Sequence, residues 1–262
     1  MNLPPLLDRA TRPLLRLLPA RRSDSLVAVD VATRAVRAIH VRRERESLVL
    51  DGYRLARLGD DPSGDDLEGA FRQAVELRVG SEPVAVCVTS PDAAIRKVDL
   101  PPMSLQELRQ ALPWEARRHI AGLAEGSIVD AQVLSPGAES SPMEILLVAF
   151  PRPQYERLEG LCDRLGVPAA FVDVGQLSTM NAFLGPRPAS EVLGVLDLGA
   201  DEAFFAAFSP SNLLLFRDLS VRVSRLDALL GERFALRSAQ LDAFKSTGKL
   251  PGGSPPAPGK LE

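Results

Sequence analysis

Between Ser25 and Ser90 the sequence changes its periodicity twice, in an order that few folds accommodate. The run SLVAVDVATRAVRAIHVRRERESLVLDGYRLARL alternates apolar and polar positions. It reads as a strand to Asp30, a turn, a second strand to Val41 and a third from Leu48 to Leu58. GDDPSGDDLEGAFRQAVELRVG then switches to helical spacing, with Asp65 or Asp66 as the N-cap and Gly80 as the stop. EPVAVCVTS is again an apolar strand. Three consecutive strands make a meander, which leads through a crossover helix to a parallel strand.

The next block predicts a small α+β module. A strand runs from Ala94 to Leu100, a turn follows at Pro101 and Pro102, and Ser104 with Glu107 three residues on has the spacing of a capping box. Pro113 predicts a kink or a split in that helix. Strands follow at SIVDAQVL and EILLVAF, separated by the polar loop SPGAESSP. Farther on, RPQYERLEGLCDRLGV is an amphipathic helix that stops at Gly166, AAFVDV is a short strand and GQLSTMNAFLG another helix. EVLGVLDLGADEAFFAAFSPSNLLLFRDLSV then repeats the logic of the Asp30 region: an apolar strand ending on Asp197, a small-residue turn and a second strand.

The order β-β-β-α-β, with this echo, predicts an α/β chain of the actin-like, or ribonuclease H-like, fold carrying an inserted α+β subdomain. The expected segments are an arm at 1–24, the first lobe at 25–80, the inserted subdomain at 81–150, a return to the first lobe at 151–190, part of a second lobe at 191–250 and a disordered Pro/Gly-rich tail at 251–262.

With 45% hydrophobic and 25% charged residues and a net charge of −3, the chain has the composition of a soluble globular protein. It holds neither a run of the roughly 20 apolar residues that spans a bilayer nor an export leader. Cys87 and Cys162 read as small buried hydrophobes, which suits a reducing cytoplasm. The arm alternates leucines with Arg9, Arg12, Arg16, Arg21 and Arg22. It reads either as a helix lying on an anionic membrane or a partner, or, given its four prolines, as a loosely ordered arm. Basic and aromatic residues are not interleaved as nucleic-acid binding requires, and no nucleophile-base pair or metal cluster is evident. Trp114 is expected to pack a subdomain seam, His119 and His40 to be ordinary element residues, and RRERE to be a solvated strand end.

The segments VAVDVATRAVRAI, IRKVDLPPMSLQELRQALPWEARRHI, EILLVAFPR, AAFVDVGQLS and VLDLGAD together resemble the PilM family of type IV pilus assembly proteins, actin-like relatives of the cell-division protein FtsA. The resemblance runs from about Ser25 to Pro251, and WEARRHI is its most distinctive part. It implies a cytoplasmic protein that binds ATP between two lobes and grips the short N-terminal tail of a bitopic, PilN-like inner-membrane partner in a groove shared by its first two subdomains. Ile95, Val98 and Leu100 are the residues expected to share in that contact.

An ATP cleft needs backbone N–H groups in tight Gly turns, neighbouring hydroxyls and a Mg²⁺ bridged to carboxylates. In the family the first phosphate loop has the form Asp-hydrophobic-Gly-Ser-Ser-Ser. Here it keeps Asp30 and Thr33 but has Ala32 for the glycine. The second keeps Asp197, Gly199 and Ala200 but continues with Asp201 and Glu202. Arg222-Val223 stands where the family has a Gly-Gly pair. A carboxylate about 5 Å from a phosphate oxygen costs on the order of 3 kcal/mol per charge pair at an effective dielectric near 20. These departures, with an end soon after QLDAFKSTGKLP, predict an incomplete second lobe, degenerate phosphate positions and no required cofactor. Asp30 and Asp197 could equally be turn caps. The expectation is a non-catalytic scaffold of pilus or type II secretion assembly, with an ATPase completed by another subunit as the alternative.

Overall fold

The meander and its parallel return form as the alternation predicts. The computed structural model describes residues 25–44, 47–59, 62–167, 169–183, 191–209 and 212–251. The arm at 1–24 and the tail from 252 lie outside the described residues. The first elements are β1 (Ser25–Ala32), β2 (Ala35–Glu44), β3 (Ser47–Arg57), α1 (Gly64–Val75) and β4 (Val84–Thr89). The inserted module contributes β5 (Ala94–Leu100), α2 (Leu105–His119), β6 (Ile128–Ser135) and β7 (Met143–Phe150). Then follow α3 (Arg152–Arg164), β8 (Ala169–Val174), α4 (Gly175–Phe183), β9 (Leu193–Leu198), β10 (Ala203–Phe208), β11 (Leu213–Asp218), α5 (Val223–Phe234) and α6 (Ser238–Thr247).

The first sheet has the order β3-β2-β1-β4-β8. Its first three strands pair antiparallel, while β4 runs parallel to β1 and β8 parallel to β4. Val27, Val29, Val36 and Ala38 point to one face, where α1 buries Ala70, Phe71 and Ala74 and α3 buries Leu158, Leu161 and Cys162. A side chain the size of Phe71, fully withdrawn from water, contributes roughly 1.5–3 kcal/mol. The N-cap of α1 is Ser63 rather than either aspartate. The Ser63 hydroxyl accepts from the Asp66 amide at 3.2 Å and the Asp66 carboxylate accepts from the Ser63 amide at 3.0 Å. Asp66 therefore serves as the distal half of a capping box. The helix ends at Val75, short of Gly80, which takes a left-handed conformation (φ +65°) in the loop beyond.

In the inserted module the sheet order is β5-β7-β6, all antiparallel. Ser104 and Glu107 form the predicted capping box, and α2 continues through Pro113 without splitting. Leu108, Leu112 and Ala116 recur every four residues and pack on Val98, Leu100, Ile145 and Leu147. Trp114 falls two residues past Leu112, on the opposite side of the helix, and is 70% exposed. It packs no seam; the Arg117 guanidinium lies 5.6 Å from its ring centroid.

The third sheet has the order β11-β10-β9. Its inner residues Val195, Phe204, Phe208 and Phe216 share a core with Ile95, Leu146, Phe150 and Met180. The described residues form two compact units, one of 25–197 with Phe204–Asp218, the other of Leu198–Ala203 with 219–251. In the second unit, α5 and α6 meet through Phe234 and Phe244, whose ring centroids are 5.8 Å apart.

Candidate functional site

The first loop turns between β1 and β2, with Thr33 exposed and Ala32 half-buried. Asp30 sits two residues before it, and both of its carboxylate oxygens are engaged within the chain. Oδ2 accepts from Arg37 Nη1 at 2.7 Å, and Oδ1 accepts from Thr89 Oγ1 at 2.6 Å and from Cys87 Sγ at 3.4 Å. The strand register explains the cluster. Asp30 is opposite Cys87, and Cys87 is opposite Asp173, so three neighbouring parallel strands place these groups in one row. Burial first, and then the Asp30 carboxylate, pushes the Cys87 thiol far above its usual range, so it remains a protonated donor. Burial likewise raises the Asp173 carboxyl, against the Val174 amide and the Ser178 hydroxyl, which hold it down. Among the described residues no group of three or more His, Cys, Asp or Glu side chains is arranged to hold a metal ion.

Gly175 opens α4 beside this row. A β-carbon there would lie 1.9 Å from Thr89 Oγ1, so the hydroxyl that bonds Asp30 requires a glycine opposite it. Reading the sequence missed this partnership. The Gly after VDV was its only local trace, and Thr89 is 59 residues from Asp30.

The second loop follows β9, near whose end Asp197 lies half-buried. Glu202 folds back over Gly199: a β-carbon on Gly199 would be 2.6 Å from both the Glu202 carbonyl oxygen and its Oε1. The first amides of α5 are directed into the same loop. Val223 N–H donates to the Gly199 carbonyl at 3.1 Å and Ser224 N–H to the Ala200 carbonyl at 3.0 Å. The Arg222 guanidinium donates to the Asp201 carbonyl. Helix N-termini attract anions through such unpaired amides, and here these amides meet carbonyl oxygens of the chain itself.

On the strand expected to meet a partner, Ile95, Val98 and Leu100 are all buried, Ile95 completely. Ile95 lies in the core shared with β10 and β11, and the other two lie beneath α2. Arg96 pairs with Asp218, and Lys97 pairs with Glu144 at 2.9 Å. Glu144 also accepts from Asn212 Nδ2 at 2.7 Å. Both basic side chains of the strand are thus engaged within the chain, and so are the three residues expected to meet a partner. Beyond Leu100, Pro101 and Pro102 face residues 138–142 across an open depression of about 400 Å³. Its far wall turns at Gly137 (φ +72°), where a β-carbon would lie 2.7 Å from the Met143 nitrogen.

No protein-family model and no curated protein matches the sequence. Among solved structures the chain is similar to a PilM-PilN type IV pilus biogenesis complex, with a TM-score of 0.72 and 17% identity over 86% of this chain and 70% of that one. It is also similar to a Bacteroides thetaiotaomicron protein with an actin-like ATPase fold and unknown function (TM-score 0.52, 13% identity, 82% of this chain and 78% of that one). A third is the cytoplasmic domain of EpsL, an inner-membrane component of the Vibrio cholerae type II secretion system (TM-score 0.50, 14% identity, 82% and 78%). The fold is actin-like. At these identities the likeness concerns the fold alone.

Proposed function

We propose that the chain is a non-catalytic actin-like scaffold of a type IV pilus or type II secretion machine. In this reading it lies in the cytoplasm at the inner membrane and docks the cytoplasmic N-terminal tail of a bitopic, PilN-like partner. The observation that carries the reading is the internal satisfaction of both phosphate-type loops. Arg37 and Thr89 take the oxygens through which Asp30 would approach a hydrated metal ion. Glu202 covers Gly199, and the α5 amides are bonded to loop carbonyls. These residues do not fit a Mg-nucleotide. The likeness in fold to PilM and EpsL supports the choice of machine.

For the partner tail, β5 ends its sheet and the depression beyond it lies beside two prolines, a setting suited to an extended peptide. Titration with Mg-ATP by calorimetry is expected to give no saturable heat. A tight, saturable isotherm would instead favour an ATP-binding protein completed by another subunit. Fluorescence anisotropy with the tail peptide of a bitopic pilus protein is expected to show binding without nucleotide, weakened about tenfold by Ser140→Trp at the exposed wall of the depression. Unchanged binding by that variant would remove the depression from the site.

A further inference from the structure

The outer face of the β2–β3 hairpin carries an apolar stripe that no described element covers. Register places its residues in rows across the sheet: Leu26, Val41 and Leu50; Ala28, Ile39 and Tyr53; Asp30, Arg37 and Leu55; Ala32, Ala35 and Arg57; Arg43 and Leu48. Directly opposed residues share a face, so Ile39, Leu48, Leu50, Tyr53 and Leu55 lie together. Leu48 is 70% exposed, Tyr53 67% and Leu50 59%. Arg43 and Arg57 rim the stripe, and the one carboxylate in these rows, Asp30 of β1, is bonded to Arg37 at 2.7 Å. The acids described in the hairpin, Glu44 and Asp51, are both bonded to Arg42. Residues 35–57 hold six arginines against three carboxylates, a local charge of +3 in a chain whose net charge is −3.

We infer that this face docks on an anionic lipid bilayer. Apolar and tyrosyl side chains ringed by arginine match the boundary between headgroups and acyl chains, where the apolar groups leave water and the guanidinium groups meet phosphate. The stripe lies on an open sheet face without walls, so it offers no groove to a peptide. Its charge is complementary to an anionic surface. The chain that precedes β1 has the same character: residues 1–24 contain five arginines, two aspartates and seven leucines. That segment joins the sheet at Ser25, which is in register with Arg42 and Val49, at the Leu48–Leu50 end of the stripe. Arm and face can therefore meet one surface. No helix among the described residues is long and apolar enough to cross a membrane. This inference does not depend on a pilus or secretion partner.

The test is flotation of the full chain, without any partner, with phosphatidylglycerol-rich vesicles and with phosphatidylcholine vesicles. Binding to the anionic vesicles, weakened by salt, is expected. Leu48→Glu with Leu50→Glu is expected to weaken it at least about tenfold, and Arg43→Ser about fivefold. Circular dichroism checks that each variant is folded, and Arg43→Ser, on an exposed strand end, keeps the test decisive if the double variant is not. Absence of wild-type binding would overturn the inference. So would wild-type behaviour of all face variants while Arg12→Glu with Arg16→Glu abolishes binding, which would leave the arm as the sole contact. Equal binding to both vesicle types would remove the anionic lipid. If light scattering shows a dimer that the face substitutions dissolve, the occupant is a second copy of the chain and the lipid assignment fails.

Discussion

Strands β3 and β5 are both sheet edges built from mixed apolar and basic residues, yet their apolar side chains have opposite surroundings. In β5 both faces are covered. Ile95 points into the core shared with Phe204 and Phe216, while Val98 and Leu100 point beneath Leu108 and Leu112. In β3 the irregular register between His40 and Val41 leaves Asp51 without an opposite residue and brings Leu50 and Tyr53 to the same side. The large residues then share the outer face with Leu48 and Leu55. The inner face falls to smaller groups such as Gly52 and Ala56, with Gly52 close against Leu77. Alternation in a sequence tells which residues lie together; whether anything covers them depends on elements far away in the chain.

The largest expected effect tests the covered strand. Ile95→Asp places a carboxylate where no water reaches and is expected to cost at least about 3 kcal/mol, a large part of the roughly 5–15 kcal/mol that holds an ordinary protein folded. Urea denaturation followed by circular dichroism measures it. A loss below about 1 kcal/mol would mean that Ile95 is accessible, and would return its side chain to the candidate partner site.

The expected elements appear close to their anticipated bounds because their signals are local. These include the meander, the capping box at Ser104 and Glu107, and the left-handed stop at Gly166. Local ambiguity explains the error at α1, where SGDD offers three cap residues and both Ser63 with Asp66 and Asp65 with Glu68 have the capping-box spacing. The candidate site was legible in half. Asp30 and Gly199 stand out in sequence as strand-end and turn residues, but what engages them does not. Thr89 and Cys87 are 59 and 57 residues from Asp30 and reach it only through strand register. The fold of Glu202 over Gly199 is local, but it is a rotamer choice that no spacing encodes.

A smaller effect concerns the helix that covers β5. Removing the cap with Ser104→Ala is expected to cost about 1 kcal/mol, because it strips the Glu107 amide of its acceptor. Thermal unfolding should show the loss. If the variant matches wild type, capping does not hold α2 over Val98 and Leu100.

Acid should also distinguish the two edges. The Asn212 amide first and Lys97 second hold the Glu144 carboxyl below the usual glutamate range. A carboxylate with a depressed folded pKa stabilises fully above its unfolded value of about 4.3, and that stability disappears as pH falls through the lower folded value. The tether between β7, β5 and Asn212 is therefore intact at neutral pH and lost in acid. Melting temperatures from neutral pH down to about pH 3 should fall less steeply for Glu144→Gln than for wild type. A slope the same as wild type would mean that Glu144 contributes nothing to acid sensitivity.

The smallest expected effect is the one that defines β3 as the uncovered edge. Leu50 lies on the outer face, 59% exposed, opposite Val41, and buries little on folding. Leu50→Glu therefore leaves no cavity and forces no charge out of water. It exchanges one exposed side chain for another on a strand whose inner packing against α1 is unchanged. Stability should remain within about 0.5 kcal/mol of wild type by urea denaturation, even as lipid flotation weakens. A loss of more than about 2 kcal/mol would show that something covers this face in the free protein, and the contrast between the two edges would collapse from the β3 side.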